Sequence, residues 1–404
     1  MITIAGGIYR ERCMRPAWDD IYGSAGRAAT AIARFGGQAE LHAYVDGDTQ
    51  VVMEARAAAE GFAFNPTVSP QAGVTFEYIH GLATPDIRRG VHASSQLQVT
   101  AEKVLRFGMI DGTAVVNAEY AVFDPQNAEG PESFSANGST AKHLALVLNR
   151  HEANLLLPDS NGLPPEEIAA ALATQERAEV VVIKMGPLGA LVYDNGIISR
   201  VPAYRTERVW KIGSGDTFAA HFALAWLDNG LSAHEAASTA SIATAFYCET
   251  QGFPDKTLFD RFKPKALQPS ERYRNGYAPK VYLAGPFFTL AELWMVGQAR
   301  RDLIDMGLNV FSPYHDVGLG TAEDVVEKDL EGVRDCDVLF AIGDGLDSGT
   351  IYEIGYARAL NKPVVFYAEN ESAQDKKMME GSACRITDDY VSAVYQMVWE
   401  AVEL

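Results

Sequence analysis

Short runs of Val, Ile, Leu and Ala alternate along this chain with longer stretches in which apolar residues recur at helical spacing. That alternation is the pattern of an α/β fold: each short apolar run predicts a buried strand, and each helical stretch a segment packed across it. In the first part of the chain ITIAGGI, ELHAYV, AVVNAEYAVF, HLALVL, EVVVIKMG and ALVYD read as strands; in the second, KVYLAGPF, LNVFSP, DVLFAIG and KPVVFYA do. The opening MITIAGGIYRER has no basic segment ahead of its apolar run and no small-residue cleavage pattern, so it reads as a buried first strand.

Between the two sets, residues 253–280 lose the apolar period and carry several prolines and many charges. With 404 residues the chain is too long for one typical domain. These features divide it into a first domain over 1–265, a linker over 266–279 and a second domain over 280–404. No fixed short period repeats, which excludes a solenoid.

Composition narrows the partners. A net charge of −19 with no run of Lys or Arg argues against nucleic acid and for a small molecule. No apolar stretch reaches the length of a membrane span, so no membrane partner is expected. Cys13, Cys248, Cys336 and Cys384 form no CxxC pair, which points away from zinc and disulfides and fits a reducing cytoplasm. The histidines form no HxH or HxxxH pair. Trp294 and Met295 read as core residues of the second domain, and Lys184 as a lysine snorkelling from a strand.

Two glycine-rich turns carry the candidate chemistry. In GSGDTF, residues 213–218, Gly213, Ser214 and Gly215 precede an apolar helical stretch. Free N–H groups and the positive end of a helix at such a turn form an anion hole, and Asp216 beside it is placed to take a proton from a hydroxyl nucleophile. The same six residues also read as a plain turn with Asp216 as a helix cap.

The surroundings of this turn resemble the ribokinase-like (PfkB) carbohydrate and nucleoside kinases over about residues 1–255. GSAGRAATAIARFGG, from Gly23, is similar to that family's early substrate motif, and YVDGD follows it. Asn149 and Glu152 in LNRHEANLL match its NxxE element, and VVIKMGPLGALVYDNG, with Gly186, its strand pair ahead of the nucleotide. The resemblance implies an α/β/α sandwich, ATP and magnesium as cofactors, Asp216 as base, and Glu152 acting indirectly on the metal. The chain departs from the pattern at three places. Trp210, Lys211 and Ile212 replace the usual DTT, Arg27 stands where a sugar-binding Asn is usual, and Glu11 is the nearest substitute for the first motif's Asp. A guanidinium there suits an acidic or phosphorylated acceptor, and equally a pocket that no longer turns over.

In DSGTIYEIGYA, residues 347–357, Asp347 precedes a helix with Glu353 one turn in. Thr350 and Glu353 have capping-box spacing, and Asp347 could be an ordinary cap. Around it, the strand KVYLAGPFF ends at Gly285 and Pro286, SPYHD ends another strand, and Asp329, Asp335 and Asp337 precede a third. Acidic groups are therefore expected to converge on one sheet edge, where crowding separates their proton affinities.

The order YLAGPFF, SPYHD, KDLEGVRDCDVLFA, DSGTIYEIGYARALNKPVV resembles the nucleoside 2-deoxyribosyltransferases and related glycosidic hydrolases over residues 280–370. The resemblance implies a flavodoxin- or Rossmann-like doubly wound parallel sheet needing no cofactor. Glu353 would be the nucleophile, Asp347 would protonate or hydrogen-bond the base, Tyr282 would orient Glu353, and Asp329 would help hold the nucleoside. Two carboxylates about a glycosidic bond divide the displacement into two steps through a covalent intermediate. Members of the family complete the site with a neighbouring subunit, so a homo-oligomer is expected.

The chain thus reads as a bifunctional enzyme of nucleoside metabolism that cleaves or exchanges an N-glycosidic bond and phosphorylates a nucleoside or sugar with ATP. Two alternatives stay open. In one, only the glycosidic domain is catalytic and the kinase-like domain binds ligand or oligomerises. In the other, the chain is a nucleotide-sensing regulatory or defence protein.

Overall fold

The computed structural model describes residues 1–69, 73–90, 93, 95–158, 160 and 162–404. The chain divides into two compact units: Met1–Thr206 with Trp210–Ala266, and Glu207–Val209 with Leu267–Leu404.

The first unit is built on a nine-stranded sheet. Its order is Ile197–Val201, Ala190–Asp194, Val180–Lys184, Thr140–Asn149, Ala114–Asp124, Leu97–Phe107, Ile2–Ala5, Ala39–Val45, Ala63–Val68. All neighbours are parallel except the hairpin formed by the first two strands of that order and their junction with Val180–Lys184. Alternate strand residues supply two cores. Ile2, Ile4, Leu105, Phe107 and Val122 pack with the helices Gly23–Arg34, Gly47–Glu60, Ser214–Ala223 and Ala233–Thr250. Ala5, Val104, Ala121 and Phe123 pack with Arg150–Leu156 and Pro165–Glu176. The result is a three-layer α/β/α sandwich. A second, four-stranded sheet has the order Trp18–Ile21, Arg10–Arg15, Thr75–His80, Asp86–Arg88.

The second unit has a five-stranded sheet, parallel throughout, in the order Asn309–Phe311, Lys280–Ala284, Val338–Ile342, Val364–Tyr367, Arg385–Thr387. Because the second strand in sequence lies outside the first and the third lies inside it, the direction of winding reverses between Lys280–Ala284 and Val338–Ile342. That is the crevice where ligands bind in open parallel sheets. Val281, Tyr282, Leu283 and Ala284 are all buried, as expected for a strand covered on both faces. Among the described residues, no helix is long and apolar enough to cross a membrane.

Trp294 is 47% exposed on helix Leu290–Asp305, so it does not belong to the core expected of it. Val296, Ala299 and Leu303 form that helix's buried stripe instead. Gly285 marks close packing at the end of its strand: a Cβ there would lie 3.1 Å from Ile342 Cβ and 3.3 Å from Val296 Cγ2.

Candidate active sites

In the second unit, Tyr282 lies mid-strand beside the reversal, fully buried. Its hydroxyl donates to Glu353 Oε1 at 2.6 Å. Glu353 is carried there by helix Ser348–Ala359, which starts where the chain leaves strand Val338–Ile342. Asp347 is that helix's N-cap, its Oδ2 accepting from the Thr350 N–H at 2.8 Å and the Thr350 hydroxyl at 3.0 Å. The capping is therefore by Asp347, and Glu353 is left free of the capping box that its spacing from Thr350 allowed. Burial pushes the Glu353 carboxyl up to about 7; the Tyr282 hydrogen bond pulls against this, while Asp329 and Asp347 add to it. Asp329, on helix Ala322–Asp335, has an oxygen, Oδ1, that is buried without a hydrogen-bond partner, and burial raises its proton affinity. The four side chains form one electrostatic cluster.

Asp335 and Asp337 are not part of it. In a parallel sheet the residue just before a strand lies at the amino edge, and Asp337 is engaged there with the Lys280 N–H, the Tyr277 hydroxyl and Arg272. Gly285 and Pro286 lead instead into an aromatic group the sequence reading had passed over. Phe287 lies 5.1 Å from Phe288 and 5.5 Å from Tyr314 between ring centroids. Its signal was the paired Phe of GPFF and the Tyr of SPYHD.

In the first unit, Gly213 sits at φ 76° before helix Ser214–Ala223, and Asp216 lies in that helix's first turn. Asp216 is buried, and both its oxygens are engaged: Oδ2 accepts from Arg27 Nη1 at 3.1 Å and Oδ1 from Gln126 Nε2 at 3.0 Å. Arg27, on the helix that begins at Gly23, is 0% exposed. It forms a two-point pair with Glu11, at 3.1 and 2.5 Å, and also donates to the Gly23 carbonyl and the Tyr247 hydroxyl. A Cβ on Gly213 would stand 1.9 Å from Arg27 Nε, so glycine is required there by space as well as by φ. Burial raises the proton affinity of Glu11 against the pull of Arg27.

Asn149 and Glu152 cap their own helix reciprocally, at 2.9 and 2.7 Å. Lys184 does not snorkel: its Nζ pairs at 2.6 Å with Asp124, which is fully buried and whose proton affinity burial raises. Lys184 therefore belongs to the site, together with Asp124, a carboxylate at the end of its strand. Lys211 reaches Ser214 Oγ at 3.1 Å. Gly186, at φ 56°, opens the short turn after the Lys184 strand. The turn at Gly213–Gly215, with two lysines beside it, fits a nucleotide's phosphates. No group of three or more His, Cys, Asp or Glu that could hold a metal occurs among the described residues.

Two family models match. Nucleoside 2-deoxyribosyltransferase matches residues 281–387, and pfkB family carbohydrate kinase matches residues 140–255. Solved structures share the larger fold. A protein assigned as a ribokinase from Agrobacterium tumefaciens is 15% identical with a TM-score of 0.50, the match covering 64% of this chain and 96% of that one. A Burkholderia thailandensis nucleoside kinase, solved with inosine, is 20% identical with a TM-score of 0.49, covering 66% and 100%. Thermotoga maritima ribokinase is 17% identical with a TM-score of 0.48, covering 65% and 98%. At these identities the likeness is one of fold. None of the curated proteins compared with the chain matches it.

The molecule is therefore a two-domain α/β protein, a ribokinase-like sandwich followed by a doubly wound parallel sheet. Its residues 140–255 match the pfkB family carbohydrate kinases and its residues 281–387 the nucleoside 2-deoxyribosyltransferases, giving a fusion of two such domains.

Proposed function

We propose that the C-terminal unit breaks the N-glycosidic bond of a nucleoside with Glu353 as nucleophile. The observation that carries this reading is the Tyr282–Glu353 contact at 2.6 Å, at a carboxyl that burial, with Asp329 and Asp347 adding to it, raises to about 7. Ionised Glu353 attacks the anomeric carbon as the bond to the base breaks. The base leaves with the bonding pair and takes up a proton, and Asp347, its Oδ2 fixed by Thr350, protonates or hydrogen-bonds it there. The glycosyl ester on Glu353 then passes its sugar to a second base or to water. Phe287, Phe288 and Tyr314 offer ring faces against which a planar base can stack. The chemistry needs no cofactor.

The family of the N-terminal unit supports phosphorylation of a nucleoside or sugar by ATP and magnesium, with Asp216 as base. The Arg27 contact favours a second reading, in which this unit binds its ligand without transferring phosphate. An acceptor hydroxyl must reach Asp216, and Asp216 is already paired with Arg27, which is itself fully buried and bonded to Glu11, Gly23 and Tyr247. The same burial and pairing turn Arg27 away from an anionic acceptor.

One experiment tests both units. The protein is incubated with ribo- and deoxyribonucleosides, their monophosphates and free sugars, with and without ATP and magnesium, and products are resolved by mass. Free or exchanged base without ATP, lost in Glu353→Ala, is expected. Cleavage retained in that variant would remove Glu353 from the mechanism. Phosphorylated product that disappears in Asp216→Asn would restore the kinase reading.

A further inference from the structure

The four-stranded sheet of the N-terminal unit is fastened to the body of that unit through its inner face. Along Arg10–Arg15 the side chains alternate: Arg10 and Arg12 lie on the outer face, paired with Asp19 and Glu77, while Glu11 and Cys13 turn inward and are buried. Cys13 joins the apolar core of the body, and Trp18, Ile21 and Tyr78 from the neighbouring strands pack against the same core. Glu11 meets Arg27, on helix Gly23–Arg34, at two points, and Arg27 reaches on to Asp216 at 3.1 Å. Trp18 meets Trp210 edge to face, the ring centroids 5.2 Å apart. A third tie joins Asp20 to Arg56, on helix Gly47–Glu60, at 2.8 Å.

These ties close the sheet on the body from within the chain. Arg27 is wholly buried, with a carboxylate of the sheet on one side and the carboxylate of Asp216 on the other. It also donates to the Tyr247 hydroxyl, which donates in turn to the Ile212 carbonyl at 2.8 Å. A buried guanidinium satisfied in this way needs no ligand to complete it. The positions that make the contacts are those at which the chain departs from the carbohydrate-kinase pattern: Glu11, Arg27 and the segment from Trp210 to Ile212.

We propose that the Glu11–Arg27 pair and the Trp18–Trp210 contact form an autoinhibitory latch, which holds the four-stranded sheet shut over Asp216 and keeps small molecules from that carboxylate until it is broken. The proposal rests on, and deepens, the reading in which this unit does not transfer phosphate: the obstacle is the closed sheet, and Asp216 lies beneath it. Neutralising Glu11 leaves Arg27 short of a charge partner in a buried place, and lifting the sheet lets water reach the guanidinium. Removing the Trp18 ring takes away apolar contact that opposes the lifting.

The test is carboxyl labelling of the full chain with a water-soluble carbodiimide and glycine ethyl ester, mapped by peptide mass, together with hydrogen exchange. In the parent, Asp216 is expected to stay unlabelled, and strands Arg10–Arg15 and Trp18–Ile21 to exchange slowly. Glu11→Gln combined with Trp18→Ala should speed both the labelling of Asp216 and exchange in the two strands by about ten-fold or more, while Ala114–Asp124 and Val180–Lys184 keep parental protection and so report a folded body. Glu11→Gln alone should move both readouts the same way by a smaller factor. Glu77→Gln, which loses pairs with Arg12 and Arg88 on the outer face, should leave Asp216 labelling within about two-fold of the parent. Asp216 labelled as fast in the parent as in the double variant would overturn the latch, and so would an Asp216 that stays unlabelled in folded Glu11→Gln and double-variant proteins. Phosphorylated product made by the parent from ATP would overturn the underlying reading instead, a failure told apart because it shows in products and not in labelling.

Discussion

In the proposed glycosidic site a single hydroxyl opposes the effect of burial on the nucleophile. Burial lifts the Glu353 carboxyl to about 7, and the Tyr282 hydroxyl is what pulls against that lift. The nucleophile must be ionised, so cleavage should rise with pH through the pKa of Glu353. Removing a hydrogen bond that favours the charged form moves that pKa further up. Tyr282→Phe is therefore expected to shift the acid limb of the kcat/KM profile to higher pH, by about one unit, the scale of one such bond. Activity at neutral pH should fall while the plateau at high pH is largely kept. A pH profile of nucleoside cleavage checks this; an unmoved acid limb would mean that Tyr282 does not tune Glu353. The residue types of this cluster could be read in the sequence, because Tyr, Asp, Asp and Glu stand at motif positions on elements of clear pattern. Arg27 was also noticed, but its partners were not. Glu11, Asp216 and Tyr247 come from three separate segments, and no spacing rule links them.

Helix Gly23–Arg34 is tied to its surroundings through the charge it buries. Arg27 bridges Glu11 on strand Arg10–Arg15 and Asp216 on helix Ser214–Ala223, so its loss would leave two buried carboxylates facing each other. Removing one partner of a buried pair typically costs about 3–5 kcal/mol. Arg27→Met should lower the stability of the N-terminal unit by that order in urea denaturation at neutral pH. Part of the loss should return in acid, as Glu11, whose proton affinity burial raises, takes up a proton. A variant as stable as the parent at neutral pH would show that the cluster contributes nothing net. The elements themselves were legible in unequal measure. Residues 180–183 of strand Val180–Lys184, and Val338–Ile342, are continuous apolar runs buried along their length, and such runs announce themselves. Leu97–Phe107 alternates apolar with polar residues through its first half, and Arg10–Arg15 is mostly charged, so neither forms a continuous apolar run although each is a strand. The one-turn π-helix at Leu224–Asp228 carries no mark in the sequence at all.

For the whole molecule, the two sites belong to different units, and the unit with the glycosidic cluster exposes large apolar side chains around it. Phe288 is 70% exposed, Leu290 84% and Trp294 47%, all on the turn and helix that follow Gly285, and Tyr352, next to Glu353, is 63% exposed. Isolated apolar residues on a surface need no explanation, but several on the segments that frame a site mark a contact surface. A chain with a net charge of −19 repels its copies, so association would have to draw on apolar burial of this kind. A homo-oligomer joined through this surface is the state we expect. Light scattering on the parent should give a mass that is a multiple of the chain's. Leu290→Glu with Trp294→Glu should reduce it to the monomer and lower glycosidic cleavage, because the aromatic group beside the site would lose its cover. Cleavage at the parental rate by a monomeric double variant would show that one chain holds the complete site.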